Sequence, residues 1–201
     1  MPAALTTTGT RRRPRLTVRP VTPERWKDLA DLFGAKGACM GCWCMFYRLP
    51  FKEWSRRRGA SNRRALYRIV KSGRIPGLLG YLGGEPVAWC CLGPREEFPV
   101  LDRHRAWARI DDRPVWSVVC FFTRRGSRRR GLTLELLRAA VDYARRKGAR
   151  ILEGYPTEPD QPRADMFVWT GVASAFRRAG FRCVDRRGRT RVMRRHLRPG
   201  R

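Results

Sequence analysis

The fold is decided by residues 114–148, which read PVWSVVCFFT, RRGSRRRG and LTLELLRAAVDYARRKG in three consecutive blocks. The first block is apolar at nearly every position, which predicts a central strand with both faces covered. In the third block, apolar and charged residues recur at helical spacing, and Gly148 ends the pattern where a helix C-terminus is expected. The stretch therefore predicts a central strand, a basic loop at 124–131 and an amphipathic helix.

This order of elements is suited to binding a phosphate group. Backbone N–H groups in the first turn of a helix have no intrahelical partner, and the helix dipole adds positive potential there. Glycine lets an anion approach the backbone closely, and arginines donate charge-assisted hydrogen bonds. The residues predicted to hold a pyrophosphate are Arg128, Arg129, Arg130, Gly131, Leu132 and Thr133.

Alternating apolar patterns extend the prediction to the rest of the chain. Strands are predicted at 15–23, 77–82, 86–92, 114–123, 150–156, 181–186 and 190–197. Helices are predicted from Pro23 to Gly34 and over 51–72, 132–147 and 171–179, with a loop at 93–113. The Gly83-Gly84 pair between two apolar runs predicts a tight hairpin. This order predicts an α/β fold (mixed α+β) with a central mixed sheet flanked by helices.

Length and composition fit one globular domain. The chain has 201 residues, of which 42% are hydrophobic, and no stretch approaches the ~20 apolar residues of a membrane span. Residues 1–14 are Thr-rich and then Arg-rich, without the apolar segment of a secretory signal. We therefore expect a disordered basic tail at 1–14, a single domain at 15–201, and a cytoplasmic protein with no membrane partner.

The charge of the chain leaves two interpretations open. A formal net charge of +28 attracts polyanions such as nucleic acid. The arginines are spread evenly along the chain, which is also typical of genomic composition bias and a solvated surface. Weak, non-specific nucleic-acid binding is the most that this pattern predicts.

The segment Arg128-Arg129-Arg130-Gly131-Leu132-Thr133 resembles the coenzyme A signature of the GNAT acyltransferase superfamily, Gln/Arg-x-x-Gly-x-Gly/Ala. Thr133 departs from the last position of that signature. The end of the chain, where Ala179-Gly180-Phe181 precedes a final hairpin, is also similar to the family. The resemblance covers roughly 15–197. It implies a mostly antiparallel twisted sheet and acetyl-CoA (coenzyme A) as co-substrate without a metal.

The resemblance also implies how the cofactor lies. The backbone of Phe121, Phe122 and Thr123 is expected to pair with the pantetheine arm. The thioester is expected to enter the gap between this strand and the strand at 150–156. Packing in the core is the alternative for the two phenylalanine rings, and both can hold because the cofactor needs only their backbone.

Catalytic residues are harder to assign. Many family members have a Tyr acid on the last helix, where this chain has Phe176, which we predict to be a core residue. Glu153 and Tyr155 alternate onto one face of the strand beside the thioester gap, so they are the predicted catalytic residues. Packing is the alternative for Tyr155, and an ion pair with Arg is the alternative for Glu153. Cys120 is either a buried inert thiol or a neighbour of the thioester.

The segment Cys39-Met-Gly-Cys42-Trp-Cys44 is similar to a Gly-Cys-Trp-Cys segment of some bacterial GNAT proteins. Structural zinc sites need four ligands in spaced pairs, and this segment has no evident fourth, so no metal is predicted. In the family this region overhangs the acceptor pocket. Trp43, Phe46 and Tyr47 are therefore predicted to line the acceptor site, with loop packing as the alternative.

The leading interpretation is an acetyl-CoA-dependent N-acetyltransferase that transfers acetyl directly to a small-molecule or peptide amine, as a monomer or homodimer. The alternative is a non-catalytic CoA-binding or nucleic-acid-binding regulatory protein on the same fold. A redox or metal protein built on the cysteine cluster is a third interpretation.

Overall fold

The structure, a computed structural model, describes residues 15–158 and 169–198. The strands are β1 (Thr17–Pro20), β2 (Gly77–Leu82), β3 (Glu85–Pro94), β4 (Trp116–Thr123), β5 (Ile151–Gly154), β6 (Arg182–Arg187) and β7 (Thr190–His196). The helices are α1 (Trp26–Phe33), α2 (Phe51–Arg56), α3 (Ala60–Lys71), α4 (Val100–Arg103), α5 (Leu132–Arg146) and α6 (Ala173–Arg178). The predicted tail at 1–14 lies outside the described residues. Among the described residues, no helix has both the length and the apolar character needed to cross a membrane.

Within the described residues, the strands form one seven-stranded sheet in the order β1-β2-β3-β4-β5-β7-β6. β4 and β5 pair in parallel, joined by α5, and the other neighbouring strands pair antiparallel. β4 holds the middle position, as its apolar sequence predicts. The predicted fold class, a mixed and mostly antiparallel sheet flanked by helices, is confirmed.

The predicted hairpin between β2 and β3 is also confirmed. Leu82 pairs with Glu85, so Gly83 and Gly84 form a two-residue turn with φ of 58° and 87°. Glycine adopts positive φ without steric strain, and a turn of this kind matches the twist of the strands.

Two apolar layers cover the two faces of the sheet. On one face, α5 and α6 pack through Leu136, Leu137, Ala140 and Phe176, all fully buried. On the other face, α1 to α4 and the segment 34–50 pack around Trp89. Two adjoining cavities lie where these layers meet the end of β4.

Some predicted boundaries are wrong. The single helical region at 51–72 is two helices, because the chain reverses at Gly59, whose φ is +79° and whose N–H donates to Gly41. The predicted loop at 93–113 contains α4 and a 3-10 turn at Arg95–Glu97. The strand predicted at 150–156 ends at Gly154, because its partner β4 diverges beyond that residue.

Candidate active site

A gap opens where β4 and β5 separate. The two strands pair only from Trp116↔Leu152 to Val118↔Gly154. The segment 169–172 enters this gap: the Phe121 N–H donates to the Trp169 carbonyl at 2.7 Å. One backbone N–H on the edge of β4 that is predicted to pair with pantetheine is thus already hydrogen-bonded to another segment of this chain.

A cavity of about 400 Å³ lies between this gap and the start of α5. Eight of the nine residues predicted to bind the cofactor line it, namely Phe121, Phe122, Thr123, Arg128, Arg129, Gly131, Leu132 and Thr133. Arg130 lines a separate groove beside β1 and α5 instead. We call the first space the cofactor cavity.

The loop before α5 sets the geometry of this cavity. Gly131 is the N-cap residue of α5 and has left-handed φ of +79°. Arg129 also has positive φ, 59°, which is uncommon for a non-glycine residue. The Arg128 Nε donates to the Thr123 carbonyl at 3.1 Å, which ties the loop to the end of β4. The first turn of α5 and the neighbouring guanidinium groups together favour an anion.

Three residues of α6 also line the cofactor cavity and were missed by the sequence interpretation. They are Ser174, Ala175 and Arg178. No motif marks them, because they reach the cavity only through the packing of α6 against α5. Phe176 on the same helix is fully buried, which confirms that it is a core residue. A Cβ at Gly154 would lie 2.2 Å from its ring, so the glycine makes room for it.

A second cavity of about 340 Å³ adjoins the first. The two share Ala38, Cys39, Phe121, Phe122 and Trp169 as lining residues. We call this second space the acceptor cavity. Phe46 and Tyr47 line it, whereas Trp43 lies outside it. Trp43 is 4% exposed and packs against Trp26 and Phe33, so its position favours packing over acceptor contact.

The acceptor cavity is lined largely by aromatic rings and thiols. The aromatic residues are Phe46, Tyr47, Phe51, Trp54, Phe121, Phe122 and Trp169. The cysteines are Cys39, Cys42, Cys44, Cys91 and Cys120. Among the described lining residues, Ser55 and Arg58 bring the other polar side chains, and none is a carboxylate or a histidine.

The thiols interact with one another. The Cys44 Sγ lies 4.0 Å from that of Cys120 and accepts from the Trp89 indole at 2.8 Å. A hydrogen bond from Cys44 lowers the pKa of Cys42 to about 6, while burial raises the pKa of Cys44. Within residues 15–158 and 169–198, no group of three or more Cys, His, Asp or Glu is arranged to hold a metal ion.

Tyr47 lines the acceptor cavity and is buried. Its Oη accepts a hydrogen bond from the Trp169 Nε1 at 3.1 Å. Burial raises the pKa of Tyr47 well above its ordinary value, so the phenol keeps its proton at neutral pH. Because an indole N–H can only donate, that proton is not used in the contact with Trp169.

Glu153 and Tyr155 lie in a buried ion-pair network behind the cavities. Each is 1% exposed, and neither lines the cofactor or the acceptor cavity. Glu153 pairs with Arg95 at 3.0 Å and with Arg194 on β7. The Tyr155 hydroxyl contacts Glu153 at 2.6 Å and Ser117 at 3.0 Å. These positions favour a structural role over the predicted catalytic one.

A sequence model described as the Acetyltransferase (GNAT) family matches residues 43–168. The chain matches no curated protein by sequence. Among solved structures, the PaiA N-acetyltransferase from Thermoplasma acidophilum in complex with coenzyme A is 14% identical, with a TM-score of 0.51 over 91% of this chain and 99% of that one.

Two further structures share the fold. An acetyltransferase of the GNAT family from Listeria monocytogenes is 10% identical, with a TM-score of 0.56 over 90% of this chain and 95% of that one. The Drosophila melanogaster polyamine N-acetyltransferase, which forms N-acetylagmatine, is 14% identical, with a TM-score of 0.55 over 91% of this chain and all (100%) of that one. At these identities the structures establish the fold alone, whereas the sequence model spans most of the chain. The chain therefore belongs to the Acetyltransferase (GNAT) family.

Proposed function

We propose that the protein transfers an acetyl group from acetyl-CoA to an amine that binds in the acceptor cavity. The observation that supports this most is the junction of the two cavities. A cationic cavity at the start of α5 meets an apolar cavity along Phe121, Phe122 and Trp169. That arrangement suits a nucleotide cofactor on one side and a small acceptor on the other.

The described residues fit the cofactor. Arg128, Arg129 and Arg178 line the cofactor cavity together with the first turn of α5, and these groups would hold the pyrophosphate. The end of β4 leads from that turn to the acceptor cavity, which is the path that the pantetheine arm would follow. When bound, acetyl-CoA supplies the acetyl group as an activated thioester.

The transfer needs a proton donor for the departing sulfur. The amine lone pair forms the new N–C bond while the C–S bond breaks, and the proton that the amine loses balances the one that the thiolate gains. Tyr47 lines the acceptor cavity and carries a proton at Oη that the contact with Trp169 does not use. We therefore assign it as the donor, in place of the Tyr155 hydroxyl buried behind the cavities.

Acetyl-CoA is expected to stabilise the fold, and nucleic acid is not. At a concentration of 100 times its dissociation constant, the cofactor should raise the unfolding free energy by about 2.7 kcal/mol, measured as a shift in melting temperature. Oligonucleotides at about 150 mM salt should shift it little, and any binding should fade steeply with more salt. A tight, sequence-selective oligonucleotide complex without an acetyl-CoA effect would favour the regulatory alternative.

Tyr47→Phe and Tyr155→Phe provide a matched test of the proton donor, because each removes one hydroxyl. Tyr47→Phe is expected to lower kcat by about 100-fold with acetyl-CoA affinity unchanged. Tyr155→Phe is expected to lower the melting temperature instead, because it removes the buried hydroxyl that accepts from Arg95 and contacts Ser117. A loss of kcat confined to the Tyr155 variant, measured in steady state with melting curves for both proteins, would return the role to Tyr155.

A further inference from the structure

We propose that the acceptor is an aromatic amine of low basicity, such as an aniline, which carries no charge at neutral pH. This inference rests on the proposed acetyl transfer and names its substrate class. It follows from the shape, the lining and the charge of the acceptor cavity.

The walls of the cavity suit a flat ring. The Phe46 ring meets Trp54 at a centroid distance of 5.1 Å with an interplanar angle of 87°, and Trp169 at 6.1 Å with 72°. Because these rings meet nearly at right angles, the cavity wall exposes both ring edges and ring faces. Edge-to-face and offset-stacked contacts are the ones in which aromatic rings attract one another. The volume of about 340 Å³ lies near the lower end of ligand sites, which span roughly 300–1,000 Å³. One aromatic ring with small substituents fits that space.

The lining opposes a charged amine. An ammonium that enters an apolar cavity loses its hydration, and that loss is costly unless a carboxylate or several acceptors replace the water. Among the described lining residues there is no carboxylate, and the one guanidinium, that of Arg58, has the same sign as an ammonium. The Cys42 thiol, whose pKa is lowered to about 6, is already engaged by a hydrogen bond from Cys44. A neutral amine avoids both the loss of ionic hydration and the repulsion by Arg58.

Among the described lining residues, no carboxylate or histidine is present to take the proton of an alkylamine. An alkylamine is protonated at neutral pH and must be deprotonated before it attacks. The aromatic rings can attract a cation, but an ammonium held in that way has no lone pair and would occupy the cavity without reacting. An aniline already has a free lone pair, so it can attack the thioester without a base.

Three small amines separate ring shape from charge. Aniline is planar and neutral, cyclohexylamine has a ring of the same carbon number but is a cation, and benzylamine is planar and a cation. With acetyl-CoA at pH 7, kcat/KM for aniline is expected to exceed the values for cyclohexylamine and benzylamine by about tenfold or more. CoA release and the mass of the acetylated product give the rates. Calorimetry of each amine with the complex of the protein and desulfo-CoA measures the affinity of the amine without turnover. Aniline is expected to bind more tightly than cyclohexylamine and benzylamine.

A matched pair of variants should reverse the preference. Ser55 lies half-buried on α2 and lines the cavity. Ser55→Asp brings a carboxylate to an incoming ammonium and is expected to shift the benzylamine-to-aniline ratio of kcat/KM by about tenfold toward benzylamine. Ser55→Asn has nearly the same shape without the charge and should leave the ratio unchanged.

The outcomes distinguish this inference from the proposed function. A preference for cyclohexylamine or benzylamine in the unmodified protein would overturn the inference and leave acetyl transfer standing. Faster turnover with octanoyl-CoA than with acetyl-CoA would overturn both the inference and the acetyl donor of the proposed function, because the cavity would then hold the acyl chain. If acetyl-CoA does not bind and no amine releases CoA, the proposed function fails, and the inference falls with it.

Discussion

Replacing Gly131 by aspartate is expected to weaken acetyl-CoA binding by about 100-fold or more, which corresponds to roughly 2.8 kcal/mol. Gly131 caps α5 and lines the cofactor cavity beside Arg128 and Arg129. A carboxylate there places a negative charge where the pyrophosphate would lie and offers the nearby cations an internal partner. Because Gly131 has a positive φ of +79°, a residue with a side chain at this position also carries about 1–2 kcal/mol of backbone strain.

Gly131→Asn is the control for that strain. Asparagine has nearly the same shape as aspartate, tolerates left-handed φ better than most residues, and carries no charge. A Cβ at this position meets no heavy atom within 4 Å, so neither variant clashes. Calorimetry should show the Asn variant within a few-fold of the unmodified protein. Equal affinities of the Asp and Asn variants would mean that the pyrophosphate does not lie at this helix end.

Replacing Glu153 by glutamine is expected to lower the unfolding free energy by up to about 3 kcal/mol, because it breaks two buried ion pairs. Glu153 joins Arg95 to Arg194, and the exposed side-chain fractions of the three are 2%, 1% and 4%. Asp102 and Asp111 continue to pair with these arginines, which limits the loss. Urea denaturation at neutral pH measures it.

Glu53→Gln is the matched control, because it removes an exposed carboxylate that pairs with Arg57 one helical turn away. Pairs of that kind contribute about 0.3–0.5 kcal/mol. Similar losses in the two variants would contradict a stabilising role for the buried network. Since Glu153 lines neither cavity, its folded variant should bind acetyl-CoA with unchanged affinity. A specific loss of kcat at unchanged stability would instead support the catalytic role predicted from the sequence.

Local patterns explain how much of the fold could be predicted. The apolar run of β4, the spacing within α5 and the Gly83-Gly84 pair each fix one element through neighbouring residues alone. The loop before α5 belongs to the same stretch, which is why eight of the nine predicted cofactor residues line one cavity. Arg130 is the exception, because successive side chains of an irregular loop point in different directions.

The acceptor region could not be predicted to the same depth. The segment 34–50 has no regular period, and Ala38, Met40, Trp43 and Cys44 have positive φ. The side that each residue presents there depends on the backbone path, which is why Phe46 reaches the cavity and Trp43 does not. Glu153 could be placed on its strand, but its partner Arg95 lies 58 positions away along the chain. No local pattern reports such a contact.

The hydrogen bond from the Phe121 N–H to the Trp169 carbonyl has a consequence for the kinetic order of the proposed reaction. A pantetheine carbonyl that accepts from the Phe121 N–H would replace the existing bond to Trp169, so the exchange adds little net affinity. Most of the affinity for acetyl-CoA would then come from its nucleotide end. Trp169 also lines the acceptor cavity and donates to Tyr47. Exchange of the backbone bond would release one anchor of the segment whose Trp169 ring lines the acceptor cavity, so we expect the cofactor to bind first and the acceptor second.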